Sequence, residues 1–226
     1  MTLYPLGDTV GHVTLIDSMG TDITVVNAAR VSFAKESGYA DGYGKMKEED
    51  IRLIKYLAKH KHWTPFSQPQ VQLRIKMPLF VARQWYKHQV GFTRNEVSRR
   101  YVSDTPECYI PSVWRKAAPN IKQGSLEDKV DLVNTWLEDD MATVIGLYKD
   151  LIFAGVCPEQ ARMVLPQSMF TEFVEVGSLA AYARLYSLRS SEDAQKETRD
   201  YADSIGIILR ALFPHSWAAL TEVAPS

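Results

Sequence analysis

Between Val71 and Met77 apolar and polar side chains alternate without a break: Val71, Leu73, Ile75 and Met77 against Gln72, Arg74 and Lys76. Period two is the signature of a strand with one buried face. Pro78 closes the run, because it has no N–H to give to a ladder. A strand of this kind needs other elements to cover its apolar face, and the rest of the chain offers mainly helices. Glu48 to Lys59 brings Ile51, Leu53, Ile54 and Leu57 near one helical face. Leu79 to His88 continues as a helix behind the strand. Ser125-Leu126-Glu127-Asp128 reads as an N-cap with an acidic first turn. That helix is carried on by Leu132, Val133, Trp136, Leu137, Val144, Leu147, Leu151 and Ile152 as far as Gly155. Pro158 to Arg162 begins a short helix with proline in its first turn. Two more helices are expected, about 178 to 188 and 191 to 212. Further strands are expected at His12 to Ile16 and around Phe170, Phe173, Val174 and Val176. The fold class is α/β or α+β with helix the larger share, and the pattern leaves strand order open.

At 226 residues the chain is one large domain or two small ones. The polar, glycine-bearing stretch from Lys35 to Lys47 reads as a loop, as does Ala117 to Gly124. Neither divides the apolar content, so residues 1–226 are expected to form one domain. Apolar residues at 46% and charged residues at 23% exclude whole-chain disorder. A net charge of −1 argues against a general polyanion binder. Cys108 and Cys157 make neither a disulfide framework nor a metal cluster. The N-terminus lacks the basic-then-apolar pattern of a signal peptide. No apolar run approaches the roughly 18 residues of a membrane span. The expectation is a soluble, cytoplasmic protein with reduced thiols.

The charge is unevenly spread. From Arg83 to Tyr101 five cations (Arg83, Lys87, Arg94, Arg99, Arg100) stand against one acid, Glu96, a local charge of +4. Gln84, Asn95 and Ser98 add hydrogen-bonding groups of both senses. Such a set suits a phosphate together with a planar amide-like ring; a solvated helix followed by a charged turn has the same composition. Trp85 and Tyr86 read as core. His60 and His62 stand two apart before the turn at Pro65, a spacing that does not place both on one helical face, and no site for a metal is expected. Arg162 and Arg189 each sit beside apolar residues at an element end, where a lone arginine commonly caps a helix or meets a carboxylate. Neither cysteine has the base or cation that would make a thiolate nucleophile. There is no glycine-rich dinucleotide fingerprint and no P-loop.

These segments together resemble the flavin-dependent thymidylate synthases (the ThyX family). The likeness runs from Asn27-Ala28-Ala29-Arg30-Val31-Ser32-Phe33 to about Pro214. It includes His62 through Pro65-Phe66, Asn95-Glu96-x-Ser98-x-Arg100-Tyr101, the Ala161-Arg162 to Leu165-Pro166 segment, and Leu188-Arg189 to Ala194-Gln195. The resemblance implies a central, mostly antiparallel sheet flanked by helices. It implies conversion of dUMP to dTMP with methylenetetrahydrofolate as carbon donor, FAD as cofactor, NADPH as reductant, and no cysteine nucleophile. Arg189 matches the arginine that activates the uracil, and His62 a histidine close to the flavin. Gln84, Glu96, Ser98, Arg99, Arg100 and Arg162, with Arg189, match dUMP-binding positions. Thr64, Ser67, Lys87, His88, Gln89, Asn95 and Glu96 match flavin contacts. The family builds its site from several subunits of a homotetramer, with no membrane or nucleic-acid partner.

The chain also departs from the family. Arg-His-Arg followed by seven residues and serine is here Lys87-His88-Gln89, eight residues, then Ser98. Arg94 lies in the lengthened turn and is expected to return the missing positive charge to the flavin. Arg184 takes the place of an asparagine near folate and flavin, Ser178-Leu179-Ala180 the place of Asn-x-Arg, and Ser67-Gln68 the place of Glu-His. Three alternatives remain open on these residues: a flavin-dependent C5 modifier with another product such as hydroxymethyl, a nucleic-acid-binding module using the basic stretch, and a catalytically silent helical interaction protein.

Overall fold

The computed structural model of the chain describes residues 1–117, 119, 125–130 and 135–222. In chain order the elements are β1 (Thr2–Leu3), β2 (His12–Met19), α1 (Asp22–Arg30), α2 (Glu48–Lys59), β3 (Gln70–Pro78) and α3 (Leu79–Trp85). There follow β4 (Phe92–Glu96), β5 (Trp114–Ala117), β6 (Ser125–Val130), α4 (Thr135–Phe153), α5 (Pro158–Ala161), β7 (Phe170–Ser178), α6 (Leu179–Arg189), α7 (Lys196–Leu212) and α8 (Pro214–Thr221). Short 3-10 turns sit at Val31–Phe33, Pro65–Ser67 and Arg162–Val164.

The alternating run forms the middle of a five-stranded sheet of order β1-β2-β3-β7-β4, antiparallel at every pairing. Val71, Leu73, Ile75 and Met77 are fully buried, each worth roughly 1.5–3 kcal/mol relative to exposure. They face a core completed by Val25, Ile54, Tyr182, Leu185, Ile205, Ile208 and Trp217 from the helices. The opposite sheet face carries Thr14, Met19, Arg74, Val174 and Val176, none of them in the buried core. A register shift between Leu15 and Asp17 in β2 leaves Ile16 exposed. α8 has no counterpart in the sequence reading. Asp22, at the start of α1, accepts from the amides of His215 (2.9 Å) and Ser216 (2.9 Å) and so supplies the N-terminal partners that α8 lacks.

Three boundaries differ from expectation. α3 stops at Trp85 rather than His88. Ser125 does not open a helix: 125–130 pairs with Trp114–Ala117, and the Ser125 hydroxyl accepts from Arg115 Nε at 2.7 Å instead of capping. A cap signal is local, and the tertiary partner wins. The helix is described over Thr135–Phe153; Leu132 and Val133, and most of the 117–124 loop, lie outside the described residues. α7 starts at Lys196 rather than Ser191, and 190–195 instead makes a turn whose later residues reach the site below.

Candidate active site

α3 and α6 each end against the same cleft, of about 610 Å³, lined by Gln84, Arg115, Ser125, Arg189, Asp193, Ala194 and Gln195. Gln84 is in the last turn of α3, Arg189 is the last residue of α6, and Gln195 precedes α7. A chain of polar contacts crosses one wall. Gln84 Nε2 donates to Gln195 Oε1 at 2.6 Å, and Gln195 Nε2 donates to Glu197 at 3.0 Å. Arg115 on the β5–β6 hairpin grips Glu197 with both terminal nitrogens, at 2.8 and 2.9 Å. Burial alone would raise the Glu197 carboxyl; Arg115 overcomes this and holds it below the ordinary value. A smaller cavity of about 250 Å³ continues behind this pair, walled by Phe80, Tyr109, Val113 and Trp114.

Arg189 is held by two groups. Its Nε donates to His88 Nε2 at 2.8 Å, and its Nη2 to the Gln84 carbonyl at 3.2 Å. A guanidinium can only donate, so Nε2 of His88 carries the lone pair and the imidazole is neutral, with its hydrogen on Nδ1. Burial first, then the charges of Arg189, Arg94 and Arg184, push the His88 pKa down to about 4. Nη1 of Arg189 has no protein partner among the described residues and belongs to a cleft-lining side chain. It is available to a carbonyl or anion.

The chain leaves α3 through a turn at 87–91 in which Lys87, Gln89 and Val90 are exposed and His88 is buried. Gly91 is required here: its φ is +84°, and a Cβ would come within 2.8 Å of Ala181 Cβ. The segment after His62 meets the same place. Leu179 N donates to Pro69 O (3.1 Å) and Ser178 N to Gly91 O (3.2 Å), so both segments abut the start of α6. Thr64, His62 and Trp63 are exposed and Ser67 is partly so. Exposed cation, amide, hydroxyl, imidazole and indole groups on two adjoining turns fit the phosphates and planar rings of a dinucleotide such as FAD. Arg94 differs from expectation. It projects inward from β4, pairs through Nε with the fully buried Glu175 of β7, and donates through Nη1 to the His88 carbonyl at 2.5 Å. Its charge is matched inside the protein, so it does not restore the charge lost at Lys87-His88-Gln89. Arg184, likewise expected at the cofactor, donates to the Val90 carbonyl at 2.5 Å.

The remaining candidates form a second group. Arg100 pairs with Glu159 at 2.8 Å, Arg162 donates to the Glu159 carbonyl at 3.3 Å, and Arg99 meets Asp104 at 2.9 Å. The Ser98 hydroxyl accepts from the Arg100 amide at 3.3 Å. Glu96 accepts from Thr171 at 2.5 Å, and Asn95 is exposed on the outer sheet face, opposite Val174. Ser98, Arg99, Arg100 and Arg162 do not line the cleft with Gln84 and Arg189. Cys108 is half-buried and burial raises its thiol, while Cys157 precedes α5 in the open; neither lines the cleft. His60 and His62 lie against Tyr56 at ring distances of 4.3 and 6.2 Å. Among the described residues no three His, Cys, Asp or Glu side chains gather, and no helix is long and apolar enough to cross a membrane.

Arg115, Gln195 and Glu175 were missed as site residues. Arg115 lies far from every basic cluster in sequence, so nothing local marked it. Glu175 carried a readable signal: it shares a strand face with Phe173, two positions away, and an acid at an inward register position needs a partner.

The thymidylate synthase complementing protein family model matches residues 14–215. A protein named flavin-dependent thymidylate synthase from Thermus thermophilus is 38% identical over 215 residues, covering 94% of this chain and 76% of its own. One of the same name from Thermosipho africanus is 35% identical over 222 residues, covering 95% and 92%. Among solved structures, the UMP/dUMP methylase PolB from Streptomyces cacaoi, bound with 5-Br dUMP, superposes with a TM-score of 0.79 at 24% identity, covering 93% of this chain and 94% of its own. That likeness is one of fold. With the family model matched over residues 14–215 and 35–38% identity to these relatives over nearly its whole length, the chain belongs to the family of flavin-dependent thymidylate synthases.

Proposed function

We propose that this protein converts dUMP to dTMP, taking its one-carbon unit from methylenetetrahydrofolate and its reducing equivalents from NADPH through FAD, with no cysteine nucleophile. The observation that carries this is the meeting of Gln84 and Arg189 in one cleft, although 105 positions separate Gln84 from Arg189 in sequence. Arg189 presents an N–H edge without a partner among the described residues, where a uracil carbonyl would lie. A fixed cation there stabilises the charge that develops as C5 becomes nucleophilic. Gln84 supplies an amide to the ring edge and is itself oriented by Gln195. The raised Cys108 thiol, away from the cleft, supports a cysteine-free route.

Thr64, Ser67, Lys87, His88 and Gln89 would hold FAD, with His62 beside it and Arg184 behind the turn; bound there, FAD supplies the hydride chemistry. Glu96, Ser98, Arg99, Arg100 and Arg162 would take the nucleotide, the arginines on its phosphate, with Asn95 on the flavin. Their separation from the cleft supports a homotetramer in which a neighbouring subunit brings them to it. The sheet face left outside the core supports the same assembly. The chain is read as a single domain working in the cytoplasm.

The test is a reaction of purified protein with dUMP, methylenetetrahydrofolate and NADPH, read by product mass. A gain of one CH₂ on the nucleotide, dependent on flavin, is expected. A hydroxymethyl product, or none with Arg189 intact and flavin bound, would overturn the assignment.

A further inference from the structure

We propose that Glu175 and Arg94 are positioning residues for the nucleotide-binding arginine: this buried pair holds the main chain of His88, and His88 holds Arg189. The proposal rests on the reading that Arg189 binds the pyrimidine.

Glu175 is fully buried between β3 and β4, opposite Leu73 on one side and Arg94 on the other. Two groups donate to its carboxylate, Arg94 Nε and Trp85 Nε1 at 3.4 Å, and the buried Tyr182 stands beside it. Arg94 uses its planar fork for two tasks, because Nη1 turns to the His88 carbonyl while Nε stays on Glu175. Its third nitrogen, Nη2, is buried with no hydrogen-bond partner, and the guanidinium lies over the rings of Phe92 (4.8 Å) and Tyr86 (5.6 Å). The head is thus enclosed by an acid, a carbonyl and two aromatic faces, which leaves it one orientation. His88, fixed at its carbonyl, presents Nε2 to Arg189. Arg184 holds the next-but-one carbonyl, Val90, from α6.

A buried pair that served stability alone could be exchanged for apolar groups at little cost. This one reaches the cleft in two steps, from Glu175 through Arg94 to the residue that orients Arg189. Lysine at 94 could keep the charge but not the fork. The turn at 87–91 and the acid at an inward strand position therefore act together. The turn is fastened from within, by an arginine whose acid partner lies on a neighbouring strand.

The experiment is a double-mutant cycle on the full-length, flavin-loaded protein, reading dUMP dissociation constants by calorimetry for Arg94→Met, Arg189→Ala and the double variant. Arg94→Met is expected to weaken dUMP about tenfold, within the range of coupled neighbours. The double variant should bind no more weakly than Arg189→Ala alone. Losses that multiply, or wild-type affinity in Arg94→Met, would overturn the proposal while leaving the role of Arg189 standing. Wild-type affinity in Arg189→Ala would overturn that role and the proposal with it. Should Arg94→Met fail to fold, Arg94→Lys serves: it is expected to melt near wild type yet bind dUMP more weakly, and wild-type affinity there sinks the idea.

Discussion

The two basic groups of this protein come largely from one stretch of sequence and end in opposite surroundings. Gln84, His88 and Arg189 are locked by partners from other elements. Arg189 meets His88 and a backbone carbonyl, Gln84 meets Gln195, and Arg94 behind them meets a fully buried acid. Arg100 and Glu159 pair with about half of each side chain in solvent, 49% and 56% exposed. Arg99 is covered, but its partner Asp104 is exposed. Exposed pairs contribute about 0–1 kcal/mol and are screened by salt. The difference teaches that one chain pre-organises only the ring-recognising half of the proposed site. The phosphate-recognising half keeps its cations on weak acids that an arriving anion can replace.

That contrast can be broken experimentally. The largest effect belongs to the buried side. Glu175→Ala strands Arg94 without its counter-charge, and a loss of about 3–5 kcal/mol in unfolding free energy is expected from denaturant titration. A loss below about 1 kcal/mol would place the pair in the same class as a surface contact. Next, Arg189→Ala should lower kcat/KM for dUMP by about 100-fold or more, the scale of losing one preorganised stabilising group, with little change in melting temperature. Smaller is the pH effect of His88. Its pKa is held at about 4 in the fold against 6.5 ordinarily, so the unfolded chain takes up a proton that the folded one refuses. Stability therefore falls as pH drops from about 6.5 towards 4. Thermal melts across that window should show a shallower slope in His88→Asn.

On the exposed side, Glu159→Gln should change stability by under about 1 kcal/mol. It should leave dUMP affinity unchanged or improved, since Arg100 and Arg162 lose a competing acid. Reduced affinity would mean that Glu159 orients them. Smallest of all, Cys108→Ser and Cys157→Ser should retain near-wild-type kcat, and loss of turnover in either would reopen a thiolate route.

Much of the fold was readable because burial imposes a period. The β3 alternation, the α2 face and the proline that stops β3 each express one physical demand repeated along a short segment. Misreadings fell where two local signals competed or where a partner was distant. Ser125 carries a good cap and an acidic turn, yet the strand at 114–117 claims it. Residues 190–195 look helical, yet the chain turns there and brings Gln195 into the cleft. The residues of the proposed site were named through family resemblance more than through physics. Single arginines at element ends look alike in a sequence, whether they cap a helix or bind a ligand.

By itself the sequence determined the layered sheet-and-helix fold, the concentration of positive charge at 83–101 and the poor contexts of both cysteines, because each depends on residues close together along the chain. Only the tertiary structure decided which cations are free. Arg94 and Arg184 turn to partners 81 and 94 residues away, while Arg189 keeps an N–H edge on the cleft with no partner among the described residues. A charge is matched or available according to what the fold places within about 4 Å of it, the range over which an opposite charge or a carbonyl acts on it directly. That distance is set by strand register and helix ends rather than by neighbours in sequence.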